Sequence, residues 1–252
     1  MTLPRPGFSA YITIGWPNPG TFEKLVETLS ECVDFFEFGV PTPRPIYDGP
    51  TIRETHAEAL KSVSGWRDAL KLLSRLEIGD KRPTIIMAYM SDHLGHLREF
   101  HEEAASAGAR CILYPDLPFE HPEKLWLYVD ESERVGLKPC FFASSRFPHR
   151  WLLTYAALRP LFIYLGLQPA TGVKLPIAVE KNVRLAKKLV GDVYLLAGFA
   201  IRDSETARRL IEVGADAVVV GSAIIRAAKD RGLDEAKRLA CSIHQAVHAE
   251  RA

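Results

Sequence analysis

The stretch "VYLLAGFAIRDSETARRLIEVGADAVVVGSAII", residues 193–225, contains one complete unit of a pattern that repeats along the chain. A short apolar run at 193–199 precedes an amphipathic segment, and a second apolar run begins at residue 217. Short runs rich in Val and Leu predict buried strands, and the amphipathic segment predicts a helix between them. Two such strands joined by one helix indicate a right-handed crossover in a parallel sheet.

The same unit recurs along the whole chain of 252 residues. The pattern predicts eight strands, at 8–15, 35–39, 84–89, 110–116, 138–144, 161–166, 193–199 and 217–223. The first helix is predicted at 21–33, with Thr21 as a candidate N-cap. Strand–helix alternation in a chain of this length predicts an α/β protein with a single (β/α)₈ TIM barrel. No linker-like stretch interrupts the pattern, so residues 1–252 are predicted to form one domain.

The composition excludes several classes of partner. A net charge of +1 gives no global field that would attract nucleic acid or an anionic membrane. We found neither a signal-peptide pattern nor an apolar run approaching the roughly 18 residues of a membrane span, so a cytoplasmic location is expected. The cysteines are widely spaced, which favours reduced, buried thiols over a zinc site or disulfides. They are Cys32, Cys111, Cys140 and Cys241.

The loops after strands seven and eight predict an anion site. In TIM barrels the active site lies at the carboxyl ends of the strands, and these two loops often bind phosphate. Gly221 and Ser222 lead directly into a helix, whose first amides and dipole favour a dianion. Gly172, after strand six, can add a further amide. The alternative is that these glycines only permit tight turns.

The segment "FFEFGVPTPRPIYDGPT", residues 35–51, places an acid inside an aromatic strand. Strand alternation turns Phe36 and Phe38 towards the helices and Glu37 towards the barrel axis. Burial there would raise the pKa of Glu37 towards neutrality, which suits a residue that both gives and takes a proton. The alternative is a core glutamate held in a salt bridge.

The sequence alone leaves the roles of Asp48 and of three histidines open. Asp48 lies in a proline-rich loop, where it could accept one directed hydrogen bond or act as N-cap of the helix beginning near Thr51. His93, His96 and His101 could suggest a metal site, but their spacing does not place all three on one helical face. A solvated helix start is the preferred interpretation, and no metal is expected.

These residues, taken in order, resemble the tryptophan synthase alpha subunit family. Its Glu-Leu-Gly-Val/Ile-Pro, variable stretch and Asp-Gly-Pro correspond to "FEFGVPTPRPIYDGP", with the same eleven-residue step between the acids. The resemblance continues through "YITIGWPNP", "YPDLPFE", "TGVKLP", "AGFAI" and "VVVGSAII" over nearly the whole chain. The ordered combination of motifs is specific, whereas each motif alone is not.

The resemblance implies retro-aldol cleavage of indole-3-glycerol phosphate to indole and glyceraldehyde 3-phosphate. Glu37 corresponds to the acid–base residue, and Asp48 to the carboxylate that binds the indole N–H. The implied substrate-binding residues are Tyr11, Met87, Leu113, Tyr164, Thr171, Gly172, Phe199, Ala200, Gly221 and Ser222; core packing alone would also explain Met87 and Leu113. No cofactor is implied, because pyridoxal phosphate is expected only in the partner beta subunit that receives the indole.

The sequence departs from the family pattern in three places. The usual helix before strand one is missing or reduced to "MTLPRPG". Phe-Ser-Asp-Pro in the first loop is replaced by Thr42-Pro43-Arg44-Pro45, and "GLQPATG" replaces a longer, arginine-containing loop after strand six. We therefore expect a divergent, shortened, archaeal-like form whose coupling to its partner is altered or weaker.

Two alternative functions fit part of the same sequence pattern. Another phosphate-binding barrel enzyme, such as a phosphoribosyl isomerase or a prenylglyceryl-phosphate synthase, fits the fold. The isomerase would need paired catalytic residues on strands one and five, and Tyr11 and Thr13 on strand one argue against it. The second alternative is a barrel that mainly activates the beta subunit without catalysis, and the intact pair Glu37 and Asp48 argues against that.

Overall fold

The computed structural model describes residues 3–144, 148–167, 177–199 and 201–249. Its strands are β1 (Gly7–Thr13), β2 (Phe35–Gly39), β3 (Thr84–Met87), β4 (Ala109–Leu113), β5 (Phe141–Ser144), β6 (Ile163–Gly166), β7 (Leu195–Gly198) and β8 (Ala217–Val220). Neighbouring strands pair in parallel in the order β4-β3-β2-β1-β8-β7-β6-β5. The predicted alternation of eight parallel strands with helices, the TIM-barrel pattern, is confirmed.

The helices follow the predicted alternation, with shorter helical segments added. They are α1 (Pro19–Ser30), α2 (Pro50–Ala59), α3 (Trp66–Ser74), α4 (Ile78–Lys81), α5 (Leu97–Ser106), α6 (Leu117–Glu120), α7 (Leu125–Arg134), α8 (His149–Ala157), α9 (Ile177–Val190), α10 (Ser204–Glu212), α11 (Ser222–Arg231) and α12 (Leu233–His248). Short 3₁₀ turns lie at Met90–Asp92 and Pro122–Lys124. Within the described residues, no helix is both long and apolar enough to cross a membrane.

The described residues group into two compact units. The amino-terminal unit comprises Tyr11–Ser30 and Phe35–Pro139, and the carboxy-terminal unit comprises Met1–Ala10, Glu31–Asp34 and Cys140–Ala252. β1 is divided between them: its residues up to Ala10 belong to the second unit and pair with β8, and its residues from Tyr11 onwards belong to the first. In the first unit the amide of Ile14, just after β1, donates to the Gly39 carbonyl at 2.9 Å. A single domain over residues 1–252 stays a prediction.

The start of α1 differs from the predicted one. The helix begins at Pro19, and the side chain of Asn18 accepts a hydrogen bond from the Thr21 amide at 3.0 Å. Thr21 is therefore inside the first turn, and the prediction that it caps the helix is wrong. The physical reason is that Pro suits the first helical position and Asn satisfies an orphan amide, so the preceding Asn-Pro pair starts the helix earlier.

The histidines near α5 also differ from expectation. His93 and His101 are fully buried, and the His93 ring stacks on Phe100 with centroids 3.7 Å apart. Burial, reinforced by His96 and His101, lowers the pKa of His93 to about 3, so its ring is neutral. A solvated helix start is therefore wrong for these residues, because the neutral imidazoles pack as aromatic rings beside Trp66 and Phe100.

The prediction of reduced, buried thiols is confirmed for two of the four cysteines. Cys111 and Cys140 are buried thiols, but Cys32 and Cys241 form a disulfide within the carboxy-terminal unit. Their Cα atoms lie 4.7 Å apart, although 209 residues separate them in sequence. The prediction of reduced thiols is wrong for this pair, because chain folding brings α12 beside the segment before β2 and spacing along the sequence carries no sign of that contact.

Removing this disulfide should destabilise the protein. A crosslink across so long a separation contributes about 5 kcal/mol in the chain-entropy treatment, and measured values commonly reach about 2–4 kcal/mol. We expect Cys32→Ser/Cys241→Ser to lower the free energy of unfolding by an amount in that range, measured by urea denaturation. Dithiothreitol should lower the Tm of the wild-type chain and leave the double variant unchanged; equal Tm values for oxidised and reduced wild type would contradict a stabilising disulfide.

Candidate active site

Glu37 lies in the middle of β2 with its side chain fully buried. Its neighbour Phe38 packs edge-on against Phe22 of α1, with ring centroids 5.8 Å apart. Successive side chains of a strand point to opposite faces, so Glu37 points away from α1, as predicted. Gly39 shares the face of Glu37, and a Cβ on Gly39 would overlap the hydroxyl of Tyr11. The absence of a side chain on Gly39 thus lets the Tyr11 ring lie at the end of this strand.

The environment of Glu37 strongly disfavours its charge. Burial, and then the negative charge of Asp48, raises the pKa of Glu37 from 4.5 to about 8. Its Oε2 atom has no hydrogen-bond partner among the described residues. The salt-bridge alternative finds no support there, since no described cation pairs with Glu37. A neutral carboxyl with an unused oxygen can donate a proton near neutral pH and accept one back.

Asp48 lies in the loop before α2 and is also buried. Its Oδ2 accepts a 2.7 Å hydrogen bond from the hydroxyl of Tyr89 and lies 3.5 Å from Nε2 of His56. The N-cap of α2 is Gly49, without a side-chain cap, so the N-cap interpretation of Asp48 is wrong. Pro50 already fills the first helical position, which leaves the Asp48 carboxylate for directed hydrogen bonds.

His56, like Tyr89, is a residue of this network that the sequence did not indicate. It lies in α2 and is fully buried, and its Nδ1 accepts from the Thr42 amide at 3.1 Å. In the neutral ring the proton is therefore on Nε2, which lies 3.3 Å from the Tyr11 hydroxyl and 3.5 Å from Asp48 Oδ2. The available signal was its position on the buried face of α2, one turn beyond Ile52.

The register of the amino-terminal unit brings the expected indole-pocket residues into one layer. Glu37 is paired with Ile85, and Gly39 with Met87, which is itself paired with Leu113. Paired residues of a parallel sheet point to the same face, so Met87 and Leu113 lie on the Glu37 face, one layer nearer the carboxyl ends of the strands. Both side chains are buried, and either pocket lining or core packing is consistent with their position.

The carboxy-terminal unit has an aromatic cluster at the carboxyl ends of its strands. Tyr164 of β6 lies 5.8 Å from the ring of Phe199 and 5.6 Å from that of Phe142, measured between centroids. A Cβ on Gly198 would overlap the Tyr164 hydroxyl, so this glycine makes room for the ring. Phe199 has a φ of 69°, a left-handed conformation that is uncommon for a bulky residue. Such local strain is frequent at binding sites.

Gly221 and Ser222 lead from β8 directly into a helix, as predicted. Gly221 is the N-cap residue of α11, which starts at Ser222 directly after β8 and runs for 10 residues. Both residues are partly exposed, and no side chain caps this helix end. The first amides of α11 therefore remain available to an anion. Thr171, Gly172 and Ala200 lie outside the described residues, so their expected roles stay predictions.

The two acids of the amino-terminal unit can perform different chemistry. Glu37 is neutral near pH 7 and can serve as a proton donor and acceptor. Asp48 accepts one hydrogen bond from a hydroxyl and faces an imidazole N–H, so its carboxyl group is held in a fixed direction. A pair of acids in contrasting environments is typical of sites that combine proton transfer with stabilisation of a cation.

Comparison with known proteins gives a consistent family. The profile described as "Tryptophan synthase alpha chain" matches residues 2–251. The tryptophan synthase alpha chain of Sulfurisphaera tokodaii is 29% identical over 235 residues, which cover 92% of this chain and 94% of the relative. That of Thermococcus kodakarensis is 32% identical over 219 residues, covering 85% and 86%.

Solved structures agree with the sequence comparisons. The tryptophan synthase alpha subunit of the hyperthermophile Pyrococcus furiosus has a TM-score of 0.86 with this chain at 26% identity, covering 98% of this chain and 100% of that one. A structure of the P. furiosus α₂β₂ complex, described for its mutual activation, gives the same TM-score, identity and coverage. The similarity thus extends over the whole fold.

The buried carboxyl of Glu37 should make stability depend on pH. Below pH 4.5 the Glu37 carboxyl is protonated in both the folded and the unfolded chain, so its ionisation does not lower the free energy of unfolding. Between pH 4.5 and about 8 only the unfolded chain loses its proton, so stability falls as pH rises and levels off above about 8. We expect Glu37→Gln to lack this fall and to become more stable than wild type, by a few kcal/mol at pH 8.5.

The measurement is urea denaturation of both chains from pH 5 to 9. Glu27→Gln, an exposed position on α1, is the matched control and should follow the wild-type curve. Parallel curves for wild type and Glu37→Gln across this range would contradict a raised pKa for Glu37.

Proposed function

The chain belongs to the tryptophan synthase alpha chain family, and from this premise we propose that it cleaves indole-3-glycerol phosphate by a retro-aldol reaction to indole and glyceraldehyde 3-phosphate. The observation that carries the proposal is the pair of buried acids, with a near-neutral pKa at Glu37 and hydrogen-bond donors at Asp48. The reaction needs a proton donor and acceptor together with an anion, and this pair offers both.

Glu37 is assigned the proton transfers. As the neutral acid it gives a proton to C3 of the indole ring, which makes the ring a cationic electron acceptor. The resulting carboxylate then takes the proton of the glycerol hydroxyl on the carbon attached to C3. A C=O bond forms there, the C–C bond breaks with its electrons returning to the ring, and Glu37 ends protonated again. A pKa of about 8 suits both steps near neutral pH.

Asp48 is assigned the stabilisation of positive charge at the indole N–H while C3 is protonated. Its carboxylate must stay ionised and fixed in direction for this role. Tyr89 donates to Oδ2 at 2.7 Å, and the Nε2–H of His56 faces the same atom at 3.5 Å. The Thr42 amide fixes the tautomer of His56, so the whole arrangement is set before substrate binds.

From the family resemblance, we assign phosphate binding to the loops after β6, β7 and β8. Gly221 and Ser222 at the start of α11 supply amides and the positive end of a helix dipole. Thr171, Gly172 and Ala200 are proposed as further binding positions from the family resemblance, and Tyr164 and Phe199 as contacts of the substrate. Binding a remote phosphate orients the reacting part of the substrate and supplies binding energy for the chemical step.

We further propose a beta subunit as partner, by analogy with the α₂β₂ complex described for P. furiosus. The indole would pass to that subunit, whose pyridoxal phosphate would be the only cofactor of the overall synthesis. A cytoplasmic location is proposed with it. The net charge of +1 supports neither nucleic acid nor membrane as a partner. A non-catalytic activating barrel stays the second candidate, since family membership alone would fit it.

Release of indole from indole-3-glycerol phosphate by the isolated chain tests the catalytic proposal. We expect Glu37→Gln to lower kcat by about 10²–10⁴-fold, the usual contribution of a general acid–base residue, and Asp48→Asn to lower it strongly as well. Glu27→Gln should keep wild-type activity. Undiminished activity of Glu37→Gln would refute the assigned mechanism, and an inactive wild type that still activates its beta subunit would favour the non-catalytic candidate.

The loop bearing Arg44 should weaken coupling to the beta subunit. Thr42 Oγ1 donates to Asp92 at 2.5 Å, whereas the side chain of Arg44 is 71% exposed with one oxygen of Asp92 3.6 Å away. The family has an acid at this position, so Arg44→Asp should raise the affinity for the beta subunit and the mutual activation. The control is Arg75→Asp, an exposed arginine after α3. Unchanged or lower affinity in Arg44→Asp would contradict the role given to Arg44.

A further inference from the structure

Three potential metal ligands converge at the amino-terminal ends of the strands in the carboxy-terminal unit. They are Asp34, His244 and His248, and one ligand atom from each lies within 4.8 Å of the others. His248 Nε2 is 2.9 Å from Asp34 Oδ2, and His244 Nε2 is 3.4 Å from Asp34 Oδ1. Both imidazoles therefore present the same nitrogen to one carboxylate.

The two histidines are brought together by helical spacing. They are four residues apart on α12, so their rings lie on one face with centroids 4.4 Å apart. The same face is tied to the segment 31–34 at two earlier points. Lys237 forms a 2.8 Å ion pair with Glu31, and Cys241 forms the disulfide with Cys32.

Asp34 is held in place independently of the histidines. Its Oδ2 accepts a 2.8 Å hydrogen bond from the Phe8 amide, and its own amide donates to the Phe8 carbonyl at 2.9 Å. The side chain of Asp34 is only 12% exposed, whereas those of His244 and His248 are each 34% exposed. In metal sites, hydrogen bonds from surrounding groups hold the ligands in position. The Phe8 backbone holds Asp34 in this way, while the two imidazoles remain accessible to an ion.

We propose that Asp34, His244 and His248 bind one divalent transition-metal ion, with Zn²⁺ as the best candidate. Zn²⁺ bonds of about 2.0–2.2 Å at tetrahedral angles separate ligand atoms by roughly 3.3–3.5 Å. The distances from Asp34 to the two imidazoles lie close to that range, so small side-chain rotations suffice. A mixed imidazole and carboxylate set favours Zn²⁺, Ni²⁺ or Cu²⁺ over Mg²⁺ and Ca²⁺, which prefer oxygen ligands.

An open cleft borders His248, although neither Asp34 nor His244 lines it, so solvent reaches the proposed site on the His248 side. Its volume is about 410 Å³. The residues that line it are Arg5, Pro6, Ile211, Ala215, Asp216, Val247, His248 and Ala249. Three protein ligands and a water complete a four-coordinate ion. The metal joins α12 to the segment before β2 beside the disulfide, so its role is to clamp the structure, and no step of the lyase chemistry passes through it.

Metal binding to the full-length chain without an affinity tag tests the proposal. After EDTA treatment and buffer exchange, ZnCl₂ is titrated by calorimetry, and CoCl₂ is added separately to record the visible spectrum. We expect one Zn²⁺ per chain, a four-coordinate Co²⁺ absorption band and a Tm that rises with Zn²⁺. Mg²⁺ at the same concentration should not raise the Tm.

The variants separate a built site from adventitious binding to surface histidines. His248→Gln and His244→Gln should each weaken Zn²⁺ binding by at least tenfold and abolish the Tm rise. His149→Gln, at an exposed position of α8, is the matched control and should bind like wild type. Because His248 is partly exposed, its variant should fold, and the Tm without metal checks this. Equal Zn²⁺ affinity in wild type and His248→Gln, or no binding by wild type, would overturn the proposal.

Discussion

The burial of Glu37 beside a second acid is the constraint on which the site depends. Two carboxylates near each other cannot both be charged without cost, and the structure resolves this by giving them different surroundings. Glu37 lies inside β2, with an oxygen that no described residue hydrogen-bonds, so it holds its proton. Asp48 accepts a hydrogen bond from the Tyr89 hydroxyl and faces the N–H of His56, so two donors surround its carboxyl group. The charge of Asp48 in turn helps to keep Glu37 neutral.

In each unit, a glycine at a strand end makes room for the ring of a tyrosine from the neighbouring strand. A Cβ on Gly39 would overlap Tyr11, and one on Gly198 would overlap Tyr164. In each case an aromatic ring from the neighbouring strand occupies the space above the glycine. The carboxyl ends of β2 and β7 are thereby lined with rings that carry a hydroxyl, rather than with aliphatic side chains. This pattern adds polar groups close to the ends of the strands without lengthening the loops.

Much of the fold could be predicted from the sequence because its signals are local. Every strand was anticipated within a few residues, since short apolar runs alternate with amphipathic segments. The face of Glu37 followed from strand alternation, and the helix start at Ser222 followed from Gly221. The start of α1 was missed because the Asn-Pro signal at 18–19 was overlooked in favour of Thr21.

The rest depended on contacts between residues distant in sequence. The spacing of His56 on α2 indicates burial, but only the fold shows that it meets Asp48 and Tyr11. The disulfide between Cys32 and Cys241 spans 209 residues and has no sequence motif. The burial of His93 likewise required knowing that Trp66 and Phe100 cover it. Contacts of this kind arise from tertiary packing, whereas hydrophobic periodicity predicts only secondary structure.

A titration of the Glu37 carboxyl group shows whether its burial beside Asp48 raises its pKa. The chain would be labelled with ¹³C at the glutamate carboxyls, and the signal assigned by its loss in Glu37→Gln. We expect a midpoint of about 8 in the wild-type chain and a lower midpoint in Asp48→Asn, because a neighbouring negative charge has been removed. A midpoint near 4.5, or one that does not change in Asp48→Asn, would contradict it.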